Sequence, residues 1–282
     1  VGDRPDAPAT AYRVSPSART AAVYVCLVAI AAAAWIVTVR EAGSMSNMVN
    51  GLGQVGRRMP NKMGIAAFLG MWAAMMAAMM APTLAPVVLA HRLVLRRREE
   101  GIASTVAFVA GYLAVWWLVG VAYLLPFLWF RDLPAEAADS WWLPVVAGTI
   151  FVLAGAYQFT RWKAHCQGTC CAPLAFVLDH DPGHGVARAF RLGMSSGAHC
   201  LGCCWALMAV LLVVGLMNLV WMIALSLLFL AEKHFRRALS LGRVVGVALV
   251  ILGLAVMVRP GLLHTVSGAR AEPVPMGNMG TP

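Results

Sequence analysis

Apolar residues run through this chain in long blocks, covering 20–39, 64–91, 102–124, 142–160, 200–231 and 241–258. A helix crosses a hydrocarbon core with about 17–25 residues, and each block is long enough to do so. The pattern predicts an all-α fold, a polytopic transmembrane helical bundle. Trp35, Trp129, Phe130, Trp141, Trp142 and Trp162 mark several block ends, where amphipathic rings settle at a membrane interface.

The block 200–231 sets the number of segments. As one straight helix its 32 residues would rise about 48 Å, well beyond a core of about 30 Å. Gly215 and Asn218 offer a place for a tight turn. About seven transmembrane segments follow, or six if 200–231 is one helix. Two halves of roughly 15 residues are short for full spans, so a thin or re-entrant hairpin is a third form.

Charge favours seven. One side then receives the N-terminus, 92–100, 161–199 and 232–240, with Arg92, Arg96, Arg97, Arg98, Arg161, Lys163, Arg188, Arg191, Lys233, Arg236 and Arg237. The opposite loop 125–141 holds Arg131, Asp132, Glu136 and Asp139. The positive-inside rule places the N-terminus in the cytoplasm and the chain, multi-pass, in a bacterial inner membrane. Arg57, Arg58 and Lys62 in the 40–63 loop run against that rule. Residues 1–19 are expected to be a flexible cytoplasmic tail, 20–258 the transmembrane helical domain and 259–282 a flexible C-terminal tail. The first block reads as a retained anchor, not a removed leader. Residues 172–198 are expected to be the one sizeable aqueous segment between spans, with Gly183 and Gly185 limiting any continuous helix.

Composition narrows the class. Only 12% of residues are charged, 61% are hydrophobic and mean hydropathy is +0.75, whereas soluble domains carry about 25% charged residues. A soluble two-domain protein is excluded. The net charge of +10 does not point to nucleic acid, because no soluble domain remains to hold such a site. It fits contacts with anionic lipid in the bilayer.

Six of the seven cysteines fall in two similar words, "AHCQGTCC" at 164–171 and "AHCLGCCW" at 198–205. His165, Cys166 and Cys170 supply one candidate half-site; His199, Cys200, Cys203 and Cys204 supply the other. Thiolate and imidazole suit soft or borderline ions such as copper(I) and zinc. Cys200 and Cys204 are four apart and share a helix face, as Cys166 and Cys170 do if helical. An iron–sulfur centre would use the same ligands. Buried free cysteine is also a common small hydrophobe. Adjacent cysteines such as Cys170 and Cys171 do not both reach one tetrahedral ion easily.

"MWAAMMAAMMAP" at 71–82 stacks Met75 with Met79 and Met76 with Met80. Thioethers are soft copper(I) ligands and equally good fillers of irregular gaps, so these four are secondary metal candidates. Met45, Met48, Met59, Met63, Met276 and Met279 would be weaker collecting positions. Glu232, Lys233 and Lys163 abut apolar runs and are candidates for supporting the ligands. No serine-protease, phosphate-loop, kinase or zinc-protease signature occurs, so the sequence nominates no catalytic residue other than cysteine.

Together, "MWAAMMAAMMAP", "GYLAVW" at 111–116, "AGAYQFTRWKAHC" at 154–166, "HCLGCCWALM" at 199–208 and "EK" at 232–233 resemble a bacterial family of predicted metal-binding integral membrane proteins of unassigned function. The resemblance spans about 64–258. It implies roles for Met75, Met76, Met79, Met80, Tyr157, Gln158, Lys163, Cys166, Cys170, Cys200, Cys203, Cys204, Glu232 and Lys233. The chain departs from the family pattern at Arg161-Trp162, where a Pro-Leu pair is expected, and at Cys171, where a basic residue is expected.

The expectation is a membrane protein binding a soft metal, copper before zinc or iron–sulfur, in metal handling or as accessory subunit of a membrane metalloenzyme with other membrane subunits as partners. A non-catalytic structural subunit and a membrane thiol–disulfide oxidoreductase are the rival readings.

Overall fold

The computed structural model describes residues 18–44, 64–98, 100–131, 141–180, 183–216, 218–234 and 238–267. All regular structure among them is helical. In chain order the helices are α1 (Ala18–Ser44), α2 (Ile65–Arg97), α3 (Ile102–Arg131), α4 (Trp142–Tyr157) and α5 (Arg161–Cys171). Then come α6 (Pro173–His180), α7 (Val186–Val214), α8 (Leu219–His234), α9 (Ala238–Val258) and α10 (Gly261–Val266). The short α10 lies inside the stretch expected to be a tail. The methionines at 45, 48, 59, 63, 276 and 279 and the acidic residues of the 125–141 loop fall outside the described residues.

Four helices among the described residues are long and apolar enough to cross a membrane: Ile65–Arg97, Ile102–Pro126, Val186–Val214 and Ser240–Val258. The pair α4 and α5, bent by 62°, makes a fifth if counted as one broken span. Two of the roughly seven expected segments fall short by this measure. The apolar part of α1 is Val25–Arg40, and α8 has 16 residues, a rise of about 24 Å.

The block 200–231 is broken at Gly215, where the seven-segment reading places a turn; its φ of 108° is open to glycine and rare for other residues. Asn218 then starts α8: its side-chain oxygen accepts from the Trp221 backbone N–H at 3.4 Å, an N-cap bond. The expected aqueous segment 172–198 is instead helical in α6 and the first half of α7. Gly183 and Gly185, at φ 93° and 107°, do separate those two helices. Beyond them the chain carries good helix formers (Ala187, Arg188, Ala189, Arg191 and Leu192), and helix resumes.

What holds α7 in place is close approach. A methyl group on Gly193 would strike the Phe108 carbonyl oxygen, and one on Gly111 would strike that of Phe190. Helices α3 and α7 therefore pack nearly backbone to backbone, as small residues permit between membrane helices. The antiparallel pair α4 and α9 does the same twice. A methyl on Gly148 would sit 2.6 Å from the Gly253 oxygen, and one on Gly155 would sit 2.6 Å from that of Gly246.

Helices α2 and α7 form the centre, with 67% and 61% of their apolar windows buried, against 28% for both α3 and α9. Trp72, Trp116, Tyr112, Phe108, Met75, Met79 and Met80 fill the space around them. The Trp72 indole N–H donates to the Trp116 carbonyl at 3.0 Å, tying α2 to α3. Between α2 and α3, Glu100 accepts hydrogen bonds from Ser104 at 2.7 Å and pairs with His184 at 3.1 Å. The Ser104 bond, with His184 adding to it, holds the Glu100 carboxyl below its ordinary value despite the opposing effect of burial.

Candidate metal centre

Cys200, Cys203 and Cys204 occupy the middle of α7, not the start of a span. Helical spacing turns all three sulfurs inward, where they lie within 4.8 Å of one another and are buried. The Cys203 and Cys204 thiols each donate back to the Cys200 carbonyl, at 3.0 and 2.9 Å. Cys200 differs: its sulfur receives the Tyr112 hydroxyl at 3.1 Å and the Lys233 ammonium at 3.3 Å. Two donors, one of them charged, converge on that sulfur.

The second cysteine word contributes unevenly. Helix α5 begins where Thr160 ends α4 and caps its successor. Its hydroxyl donates to the Tyr157 carbonyl at 2.8 Å and accepts from the Lys163 backbone N–H at 3.2 Å. From there the helix carries Cys170 to the cavity that Cys200, Cys203 and Cys204 line. Cys166 is buried with its sulfur facing Gly202, where a methyl would sit 2.7 Å away. Cys171 is exposed and donates to the Glu232 carbonyl at 3.3 Å. His165 is exposed on the outer side of α5. The two words thus meet through Cys170 and the α7 thiols.

Two adjoining cavities meet at these residues. The inner one is lined by Met80, Cys170, Cys200, Cys203, Cys204 and Lys233, among others. The outer one shares Cys170, Cys200 and Lys233 with it and adds His199, Tyr112 and Thr83. Of the four methionine candidates, Met80 reaches the inner cavity; Met75, Met76 and Met79 are buried core of α2. The Met80 carbonyl accepts from the Thr83 hydroxyl at 2.9 Å, in the turn that Pro82 and Pro86 interrupt.

The three charged candidates form one arrangement. Lys163 and Glu232 are buried and paired, with the ammonium 2.8 and 3.0 Å from the two carboxylate oxygens. Gln158 completes the ammonium's shell. Glu232 is therefore already engaged, and Lys233 turns to the Cys200 sulfur. Gln167 also donates to the Glu232 carbonyl, at 3.4 Å, so α5 satisfies an end carbonyl of α8.

Tyr112 and Gln167 were not singled out as site residues in the sequence. Tyr112 carried a signal, since a tyrosine inside an apolar block needs a polar partner once buried. Gln167 carried none beyond lying between two cysteines.

A buried set of three thiols, a fourth beside it and a fixed cation is a ligand set for a soft metal ion. A family model described as PpoB2, copper chaperone, matches residues 69–256. The chain belongs to the PpoB2 copper-chaperone family. The matched range contains every residue of the thiol group and its supporting charges. It thus takes in α3 to α8 whole, with most of α2 and α9. Comparison with curated proteins and with solved structures finds no match. Family and thiol group agree on a metal-handling role.

Proposed function

We propose that the protein is a copper(I) chaperone of the bacterial inner membrane, with its N-terminus in the cytoplasm. It holds one ion on the thiols of Cys200, Cys203 and Cys204 and releases it to a copper-requiring membrane protein. The observation that carries this reading is the convergence of three buried sulfurs within 4.8 Å, with Lys233 directed at Cys200.

Charge is compatible with the monovalent ion. Two thiolates, one copper(I) and the Lys233 ammonium sum to zero, the balance an apolar enclosure favours. The remaining thiols, Cys170 included, are then neutral sulfurs at hand for exchange. Zinc prefers four fixed ligands in a tetrahedron, and here the fourth sulfur comes from a separate helix. Exchange among nearby sulfurs suits a carrier, which must release what it binds. Apolar side chains facing outward, such as Leu118, Val121, Leu153 and Ile251, suit the lipid bilayer and docked membrane subunits. Nucleic acid has no place in this scheme.

The test is copper content of the full chain in detergent, loaded anaerobically with copper(I) and challenged with a chelator. Wild type is expected to retain one ion per chain and Cys200→Ala/Cys204→Ala to retain none. Equal, near-zero copper in both would overturn the proposal. Reversible thiol oxidation without copper retention would favour the oxidoreductase reading instead.

A further inference from the structure

Two imidazoles stand outside the thiol group, and the sequence pattern singled out only one of them. His180 ends α6, and His199 precedes Cys200 on α7. Their ring centroids are 5.8 Å apart. Phe176 fixes both: it stacks on His180 at 4.7 Å and meets His199 edge-on at 5.6 Å.

The backbone also fixes their chemistry. Nδ1 of His180 lies 3.2 Å from the Phe176 carbonyl, and Nδ1 of His199 lies 2.8 Å from the Ser195 carbonyl. A carbonyl only accepts, so each Nδ1 carries the proton and each Nε2 keeps its lone pair for a metal. No other hydrogen bond engages the two rings' outer nitrogens among the described contacts. His180 is exposed and His199 half-buried. His199 and Cys200 line the same outer cavity, which reaches the inner one through Cys170, Cys200 and Lys233.

We propose that His180 and His199 form an outer copper(I) station that captures the ion and passes it to Cys200, an inference that rests on the chaperone reading above. A d10 monovalent ion is satisfied by two nitrogen ligands, so a pair of imidazoles is a complete site for it and an incomplete one for zinc. Two neutral imidazoles leave the bound ion with its full positive charge. Thiolate ligands remove that charge and match the ion's softness, so transfer runs inward. In the step, the sulfur of Cys200 bonds to copper as Nε2 of His199 leaves, and a second α7 sulfur then displaces Nε2 of His180; each thiol that becomes a thiolate gives its proton to water or to a freed imidazole. Copper stays copper(I) throughout, and no electron is needed from elsewhere.

Two measurements on the full chain in detergent test this. In the first, copper(I) is supplied from a coloured copper(I)–bicinchoninate complex, and loading is followed as the colour fades. Loss of one ligand weakens a metal site by at least about tenfold. His180→Ala and His199→Gln are therefore expected to slow loading by about that factor, with final copper per chain unchanged. An unchanged loading rate overturns the station. In the second, Cys170, Cys200, Cys203 and Cys204 are all replaced by Ser, and copper X-ray absorption reads the ligands directly. A nitrogen-only shell that disappears with His180→Ala supports the station, and its absence overturns it. Failure of the wild-type chain to retain thiol-bound copper would defeat the chaperone reading alone, since the second measurement needs no thiol.

Discussion

Lys163→Met isolates the buried ion pair that sets the end of α8. The ammonium and carboxylate are 2.8 Å apart, with side chains only 2% and 3% exposed. At an effective dielectric of about 20 that separation corresponds to a gross attraction of about 6 kcal/mol. Dehydrating each ion costs several kcal/mol, so the intact pair contributes little net stability. Removing one member is different, because the other stays dehydrated without its partner. Lys163→Met is expected to destabilise the protein by about 3–5 kcal/mol, and Glu232→Leu by a similar amount. Lys163→Met/Glu232→Leu removes both charges and is expected to lie close to wild type. Equilibrium unfolding in mixed detergent micelles, followed by circular dichroism, measures all three. A single-variant loss below about 1 kcal/mol, the range of exposed pairs, would refute the reasoning. So would a double variant as unstable as the two singles added together. The same single variant bears on the site, because an unpaired Glu232 would compete with Cys200 for Lys233.

Two further outcomes follow from the geometry. A hydrogen bond to a charged group is worth about 1.5–3 kcal/mol, so Lys233→Met should weaken copper retention against a chelator by about 10–100-fold. Lys233→Arg should keep most of it, and equal retention by the Met variant would remove Lys233 from the site. Gly193→Ala drives a methyl into the Phe108 carbonyl, and overpacking of this kind destabilises by about 1–3 kcal/mol. Gly70→Ala, with nothing within 4 Å, is the control, and matching melting temperatures for the two would contradict the close packing of α3 on α7.

Helix class was legible because it rests on local quantities: the length of apolar blocks, and Gly215 and Asn218 as a break between them. The convergence of the three α7 thiols was legible for the same reason, since spacings of three and four residues place side chains on one helix face without further information. Helix α7 was misjudged at its beginning. Its first half carries Arg188, Arg191, Gly193 and Gly197, which read as an aqueous loop when hydropathy alone is weighed. Only the facing backbone of α3 shows that Gly193 and Gly197 are contact points in a helix.

By itself, then, the order of residues determined that the chain is helical and apolar and that soft ligands cluster on it. The tertiary structure decided which of those ligands meet. Cys170 and Cys166 have the same kind of spacing as the α7 cysteines, yet the 62° bend at Thr160 brings Cys170 to the group and leaves Cys166 behind Gly202. Tyr112 and Lys233 lie 88 and 33 residues from Cys200, and His180 and His199 belong to different helices. Such meetings depend on how helices cross, which is set by packing summed over many distant contacts and by no local rule.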